Sequence, residues 1–196
     1  MQPTLTTQRL TLRPFTQADA KEVQRLAGDA RVAATTTTIP HPYPDDAAEA
    51  WIATHEGLYQ ARTELVFAVT LRASGTLVGA ASLLDVSEAH ARAELGYWIA
   101  VEHWSSGYGT EAAGRLIQFA HEALAITRVV ARCMARNKAS AAVMEKCGLQ
   151  REGHLVRHVL KNGQYEDILL YGLVLPGRES AGTTPAPRPT QDADPA

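Results

Sequence analysis

The chain has 196 residues, of which 45% are apolar and 20% are charged, and its formal net charge is −2. This length and composition suit one folded domain, and the slightly negative charge argues against binding to nucleic acid or an anionic membrane. The first residues lack the basic and apolar regions of a secretory signal, and no apolar run is long enough to span a bilayer. We therefore expect a cytoplasmic protein.

Residues 1–175 are predicted to form a single α/β domain, and residues 176–196 a disordered tail. The tail is rich in Pro, Gly, Thr, Ala and Asp and has almost no apolar residues beyond alanine. Such a segment cannot bury enough surface to offset the entropy of ordering. Neither the two cysteines nor the seven histidines form a metal-ligand pattern, so we expect no metal site.

In the first part of the chain, the patterns predict a strand at Arg9–Arg13, a helix from Thr16 to Ala27, a loop at Arg31–Pro44 and a helix at Asp45–Ala61. Apolar and polar residues alternate in the strand. Thr16 and Asp19 resemble a capping box at the start of the first helix. The loop is predicted from a threonine run and three prolines.

The rest of the chain alternates between strand and helix patterns. Predicted in order are strands Leu65–Leu71 and Leu77–Leu84, strand Ala93–Val101, helix Tyr108–Leu124, strand Arg128–Ala135, helix Ala139–Lys146, and strands Gln150–Leu160 and Tyr165–Leu175. The segments Ala73-Ser74-Gly75 and Asn162-Gly163 are typical of hairpin turns. The sum is a mixed sheet with helices on its faces.

A glycine-rich loop, Trp104–Ala112, lies between a predicted strand and a predicted helix. Gly107 and Gly109 allow backbone amides to turn toward a ligand, and the helix start adds unpaired N–H groups. This favours a pyrophosphate site, although a tight turn needing glycine only for its shape is the alternative. The loop also fits GxGxxA, but the next strand supplies no acid for a dinucleotide ribose, and the chain has no P-loop pattern.

These residues resemble the GNAT superfamily of N-acetyltransferases. Ser105–Gly109 matches part of its pyrophosphate loop, with Trp104 in place of the usual Arg or Gln, and Trp104–Ala112 resembles the branch of ribosomal-protein N-terminal acetyltransferases. Further segments similar to that branch are Thr7–Pro14, Glu94–Ile99, Asn137–Ser140, Val143–Leu149 and the hairpin around Asn162-Gly163. The resemblance spans about residues 5 to 175.

The resemblance implies a GNAT-like fold, a central, mostly antiparallel sheet with helices on both faces. Its fourth and fifth strands, here Ala93–Val101 and Arg128–Ala135, splay apart and hold the pantetheine arm of acetyl-CoA. The residues implied to bind this co-substrate are Trp98, Ile99, Ala100, Val101, Ser106, Gly107, Tyr108, Gly109, Thr110 and Asn137. Asn137 could equally cap the helix that follows it.

Two catalytic residues are implied, Glu94 and Ser140. Glu94 is the candidate general base, and the alternatives are that it only orients the amine, pairs with Arg92 or another arginine, or lies at a solvated strand end. Ser140 is the candidate donor to the departing thiolate, or a first-turn capping residue. The tyrosine that many members use as the acid aligns with Met144, which cannot donate a proton. Tyr97 and Tyr108 are therefore further candidates for the acid.

The implied function is transfer of an acetyl group from acetyl-CoA to a primary amine, with a protein or peptide N-terminal α-amine as the favoured acceptor. The alternatives are a small-molecule amine, such as a polyamine, amino acid or antibiotic, and a non-catalytic acyl-CoA sensor. Residues Ala34–Pro44 and Gly153–Asp167 are expected to shape the acceptor groove. A homodimer is a further hypothesis.

Overall fold

The computed structural model describes residues 1–177, within which eight strands form one sheet in the order β1-β2-β3-β4-β5-β6-β8-β7. The strands are β1 Leu5–Thr6, β2 Leu10–Pro14, β3 Leu65–Leu71, β4 Leu77–Ser87, β5 Arg92–Ile99, β6 Arg128–Met134, β7 Gln150–Lys161 and β8 Gln164–Val174. The α-helices are α1 Ala20–Ala27, α2 Ala30–Thr35, α3 Ala47–Gln60, α4 Tyr108–Leu124 and α5 Lys138–Lys146. The predicted tail lies outside the described residues from position 178 onward.

Helices cover both faces of the sheet, each over its own hydrophobic core. On one face, α4 and α5 pack their alanines, Leu116 and Met144 against alternate residues of the strands, such as Phe67 and Leu95. On the other face, Val23 of α1 and Ile52 of α3 pack with Ala68 and Leu77 of the sheet. The central strands are therefore covered on both sides, and the predicted mixed α/β architecture is confirmed.

The strands β5 and β6 are the one parallel pair among the described strands, and they separate part-way along their length. Their pairing begins at Arg92 and Arg128 and ends at Leu95 and Ala131. Beyond that point Gly96–Ile99 of β5 continues to pair only with β4 on its other edge. This separation is the splay that the family resemblance implied, and it opens an unpaired strand edge inside the molecule.

The turns predicted from short motifs are confirmed. Gly75 and Gly163 have φ angles of +75° and +77°, and Asn162 has a φ of +50°. Two successive residues with positive φ are what a two-residue hairpin of the Asn-Gly type requires. The β7–β8 hairpin therefore turns where the sequence indicates.

The structure departs from the predicted elements in several places, and strand β4 also runs three residues beyond its predicted end, to Ser87. The segment Arg31–Pro44 begins with α2 and not with a loop, because Asp29 Oδ1 accepts a hydrogen bond of 2.8 Å from the Arg31 N–H and starts a short helix. Strand β5 ends at Ile99, two residues before the predicted end, because Val101 begins a 3₁₀ turn. Leu5–Thr6 forms an additional short strand at the sheet edge.

Among residues 1–177, no helix combines the length and apolar character that crossing a membrane requires.

Candidate active site

A cavity of about 930 Å³ opens where β5 and β6 separate. Its walls come from both strands, from the starts of α4 and α5, and from the segment after α2. Nine of the predicted site residues line it: Glu94, Trp98, Ile99, Gly107, Tyr108, Gly109, Thr110, Asn137 and Ser140. Ala100, Val101 and Ser106 do not, and Val101 faces a smaller depression of about 290 Å³ instead.

The start of α4 forms one end of the cavity. Gly107 precedes the helix with a φ of +79°, a conformation that L side chains rarely adopt. The first-turn N–H groups of Tyr108, Gly109 and Thr110 have no carbonyl earlier in the helix to bond with. A Cβ added to Gly109 would meet only Val143 and Ile99, at 3.6 and 3.7 Å, so space remains above its backbone. The loop is therefore a cradle of amides suited to an anion.

Arg9, the residue before β2, stabilises this loop through contacts on both sides of Gly107. Its guanidinium donates to the Ser106 carbonyl at 2.9 Å and to Glu111 Oε2 at 2.7 Å, and it lies over the Tyr108 ring at 4.7 Å. The Glu111 carboxylate also accepts from the Arg9 N–H and the Thr7 hydroxyl. Although partial burial opposes it, these hydrogen bonds hold the pKa of Glu111 below its ordinary value. Arg9 thus links the two sides of the Gly107 turn.

The open edge of β5 is partly occupied by the protein itself. The Ala100 N–H donates to the Val78 carbonyl at 2.8 Å, so the backbone of Ile99, one residue earlier, faces the splay. The Trp104 indole Nε1 donates to the Ile99 carbonyl at 2.7 Å. Trp104, which stands where the family has Arg or Gln, therefore fixes the end of β5. The Ile99 N–H is the amide in this stretch whose direction fits a ligand lying in the splay.

The other end of the splay holds an ion pair. Arg132 of β6 donates from Nε to Glu94 Oε1 at 2.9 Å and from Nη2 to Glu94 Oε2 at 2.8 Å. The Glu94 side chain is 18% exposed and that of Arg132 is 51% exposed. A carboxylate has about four acceptor positions, so this two-point pair leaves about two of them free toward the cavity.

At the start of α5, Ser140 and Tyr97 form a hydroxyl pair inside the cavity. The Tyr97 Oη lies 2.9 Å from Ser140 Oγ and also donates to the Ser140 carbonyl at 3.0 Å. Burial raises the pKa of Tyr97 well above its ordinary value, in spite of the opposing hydrogen bond to Ser140. Tyr97 is therefore a neutral hydrogen-bonding group at any pH near neutrality.

Known proteins are similar to this chain in sequence and in fold. Residues 9–150 match the family model of the acetyltransferase (GNAT) domain. The chain is 30% identical to the uncharacterized N-acetyltransferase YoaA of Bacillus subtilis, over 90% of this chain and 99% of that protein. It is 28% identical to the spermidine N(1)-acetyltransferase of Vibrio cholerae over 49% of this chain and 56% of that one. The solved structure of RimL, a ribosomal L7/L12 α-N-protein acetyltransferase in complex with coenzyme A, covers 88% of this chain and 98% of its own, with a TM-score of 0.81 and 18% identity.

The chain belongs to the GNAT acetyltransferase family. This confirms the family predicted from the sequence, and it makes the protein an acyltransferase of the N-acetyltransferase type. The RimL structure supports the fold alone at 18% identity.

The chain's own residues fit a coenzyme A thioester. The amide cradle before α4 suits a pyrophosphate, and the open edge of β5 suits an extended arm that pairs like a strand. Within residues 1–177, His, Cys, Asp and Glu form no group of three or more that could hold a metal ion. The cradle and the open strand edge together fit an extended co-substrate with an anionic end.

Asn137 takes the capping role that the sequence left open. Its Oδ1 accepts from the Ser140 N–H at 3.0 Å, and its Nδ2 donates to the Thr35 carbonyl at 3.1 Å. The side chain thus starts α5 and anchors the end of α2 in one step. One N–H and one lone pair of the amide stay unused by these two bonds, so contact with a ligand is compatible with them.

Three residues of the site were missed by the sequence analysis or placed outside it. In the sequence, Arg9 was assigned only to an alternating strand. Arg132 was considered only as part of a strand that supplies no acid for a ribose, and Glu64 was not singled out at all. Glu64 lies immediately before β3 and lines the cavity, and burial raises the pKa of its carboxyl above the ordinary value. No local motif marks these residues, because each reaches the site from a distant part of the chain.

Proposed function

We propose that this acetyltransferase uses acetyl-CoA to acetylate a primary amine, and that the favoured acceptor is the α-amine of a protein or peptide N-terminus. The observation that carries the proposal is the single cavity that joins the amide cradle before α4, the open edge of β5 and the Glu94–Arg132 pair. A cavity of about 930 Å³ has room for an extended arm together with the end of an acceptor.

The amides of Gly107–Thr110 bind the pyrophosphate in this proposal, and the Ile99 N–H bonds to the pantetheine arm. The Ala100 N–H is excluded from this role because Val78 already accepts its hydrogen bond. Trp98 contributes a wall of the cavity, and Asn137 offers its remaining amide N–H and lone pair. Acetyl-CoA supplies the activated thioester carbonyl, and the protein supplies its orientation.

The Ser140 hydroxyl donates a hydrogen bond to the sulfur that leaves. Tyr97 has a single phenol proton, which can bond either to the Ser140 carbonyl or to the Ser140 hydroxyl. When it bonds to the hydroxyl oxygen, the proton of Ser140 is free to point into the cavity. Met144, at the position of the family's usual tyrosine, is buried and cannot take this role.

Glu94 orients the acceptor amine and receives its proton in this proposal. Arg132 fixes both carboxylate oxygens in place, while the remaining acceptor positions point toward the cavity. The amine must lose a proton before it attacks, because its free pKa lies well above neutrality. A held carboxylate next to the attack position suits that transfer, directly or through one water.

The favoured acceptor is supported by the branch of the family that the sequence resembles and by the covering segment after α2. Lys161 of β7 donates to the Ile39 carbonyl at 2.5 Å, which joins the C-terminal hairpin to this segment above the cavity. These are the two segments from which an acceptor groove was predicted. Because one relative is a spermidine acetyltransferase, a polyamine is the second acceptor to test.

The test is release of free thiol from acetyl-CoA with N-terminal peptides, polyamines, amino acids and aminoglycosides as acceptors. We expect acceptor-dependent thiol release, highest with peptides that have a free α-amine and abolished by N-terminal blocking. Glu94→Gln should lose turnover and keep the acetyl-CoA affinity, whereas the control Glu56→Gln, on the exposed side of α3, should change neither. Tight acetyl-CoA binding without turnover on any acceptor would instead make the protein a sensor.

A further inference from the structure

One face of the sheet forms the floor of the cavity. Leu84 of β4 pairs with Glu94 of β5, and the neighbouring register, Leu65 with Leu83, places Glu64 opposite Leu84. Residues that pair directly across antiparallel strands project from the same face. Glu64 and Glu94 therefore stand on the same face of the sheet, separated by one strand. Two strand spacings put their Cα atoms about 10 Å apart.

The two carboxylates differ in their surroundings. Glu94 is held by Arg132 through two hydrogen bonds. Glu64 is half-buried, and within residues 1–177 its carboxylate has no hydrogen bond or ion pair. Burial without a partner disfavours the charged carboxylate, and it raises the pKa of Glu64. A cation placed beside Glu64 would remove that penalty.

The charges that line the cavity leave this carboxylate uncompensated. Arg132 forms an ion pair with Glu94, so its positive charge is already neutralised and does not compensate Glu64. Lys146 belongs to α5, which packs on the opposite face of the sheet. His103 lies on the 3₁₀ turn after β5, beside Tyr108 at the cradle end of the cavity. Glu64 is thus the one lining carboxylate among the described residues that has no ion-pair partner.

We propose that Glu64 is a specificity-determining subsite for a second positive charge on the acceptor, about 10 Å from the amine that Glu94 orients. The inference rests on the proposed function and adds the substrate class, an acceptor with two cationic groups. Two or three extended peptide residues span about 7–10 Å, so a lysine or arginine next to the N-terminal residue has the required reach. A linear polyamine offers the same chemistry, and the experiment separates the two sources.

The experiment uses acceptors matched in size and different in charge. One pair is a peptide with lysine at position two or three against the same peptide with norleucine there. The other pair is spermidine against a monoamine of similar length. Thiol release gives kcat and KM for wild type, for Glu64→Gln, and for Glu56→Gln as a matched carboxylate control on the exposed side of α3.

We expect wild type to have a KM roughly tenfold lower for the cationic member of at least one pair. Glu64→Gln should erase that preference by raising the KM of the cationic acceptor, and it should leave the neutral acceptor, kcat and the Kd of acetyl-CoA unchanged. The pair that shows the effect identifies the source as a basic peptide or a polyamine. Glu56→Gln should behave as wild type.

Equal KM values within both pairs for wild type would overturn the subsite, and so would a preference that survives in Glu64→Gln. If no acceptor turns over, the proposed function fails first, and the subsite is then tested by binding alone. Calorimetry with coenzyme A bound should give weaker binding of spermidine or the lysine peptide to Glu64→Gln than to wild type. Equal binding by the two proteins would refute the subsite independently of turnover.

Discussion

The phenol oxygen of Tyr97 lies 2.9 Å from the hydroxyl oxygen of Ser140, although 43 positions separate the two residues in the chain. Tyr97 comes from β5 and Ser140 from the first turn of α5, so this contact connects the two sides of the cavity. The same phenol also donates to the Ser140 carbonyl at 3.0 Å. Because the phenol has one proton, the direction of the Ser140 hydroxyl depends on which of these two oxygens that proton bonds to.

Removing either hydroxyl should therefore reduce turnover by different amounts. We expect Ser140→Ala to lower kcat roughly 10- to 100-fold, because the departing sulfur loses its donor, and Tyr97→Phe to lower it by less. The Kd of acetyl-CoA should change little in both. Tyr171→Phe is the control, because the Tyr171 phenol donates to Glu145 away from the cavity. A Ser140→Ala enzyme with full kcat would show that this serine only starts α5.

Arg9 should matter for co-substrate affinity and not for the chemical step. It braces the cradle by bonding to Ser106 and Glu111 on either side of Gly107. We expect Arg9→Ala to weaken coenzyme A binding roughly fivefold in calorimetry, with kcat at saturation unchanged. Arg62→Ala, which removes a similar exposed ion pair with Glu88, should leave affinity unaltered. Unchanged affinity in Arg9→Ala would mean that the cradle keeps its shape without this brace.

His55 should make the protein less stable in acid. It is 7% exposed, both ring nitrogens lack hydrogen-bond partners among the described residues, and its ring packs against Phe15 and Trp51. Burial lowers the pKa of His55 from 6.5 to about 4. Between these values the unfolded chain binds the proton that the folded chain excludes, so stability is complete above about pH 6.5 and falls toward pH 4, by up to about 3 kcal/mol.

The check is urea unfolding at pH 7.5 and pH 5 for wild type and for His55→Phe, with His55→Leu as a smaller replacement. Wild type should lose free energy of unfolding at pH 5, and the apolar variants should lose less. The exposed His90, replaced by Gln, is the control and should follow wild type. An equal acid loss in wild type and both apolar variants would place the sensitivity elsewhere.

The sequence predicted most of the fold because its signals are local. Asn162-Gly163 needs only two adjacent residues with positive φ, and the helix at Tyr108–Leu124 has a long periodic stripe. Helix α2 was missed because six residues are too few to show a period. Its start depends on the single side chain of Asp29, which in sequence looks like any loop residue.

The site was predictable where it is made of backbone and was not where it is made of distant side chains. Gly107 marks the cradle in sequence because its φ requires glycine. The Glu94–Arg132 pair depends on the register of a parallel strand pair, which no period of either strand reveals. Arg9 reaches Ser106 across 97 positions. Nothing in the sequence singles out Glu64, and only the register of β3 and β4 places it on the cavity floor.

Substitutions at the two glycines of the cradle, Gly107 and Gly109, should affect stability and coenzyme A binding differently. Gly107→Ala forces an L side chain to a φ of +79° and puts its Cβ 3.4 Å from Arg9 Nη2, so we expect a loss of about 1–2 kcal/mol of stability together with weaker coenzyme A binding. Gly109→Ala meets only ordinary contacts at 3.6 Å or more, so its stability should hold or rise slightly, as alanine favours a helix. Its methyl group would still occupy the space above the first-turn amides.

We therefore expect Gly109→Ala to bind coenzyme A at least tenfold more weakly while its melting temperature stays at or above that of wild type. Gly114→Ala is the matched control on α4, because nothing lies within 4 Å of its added Cβ. It should gain up to about 1 kcal/mol in stability and bind coenzyme A as wild type does. Calorimetry and thermal unfolding on the three variants give both readouts. Normal affinity in Gly109→Ala would place the pyrophosphate away from the amides of α4, and the cradle would then be only a turn that connects β5 to its helix.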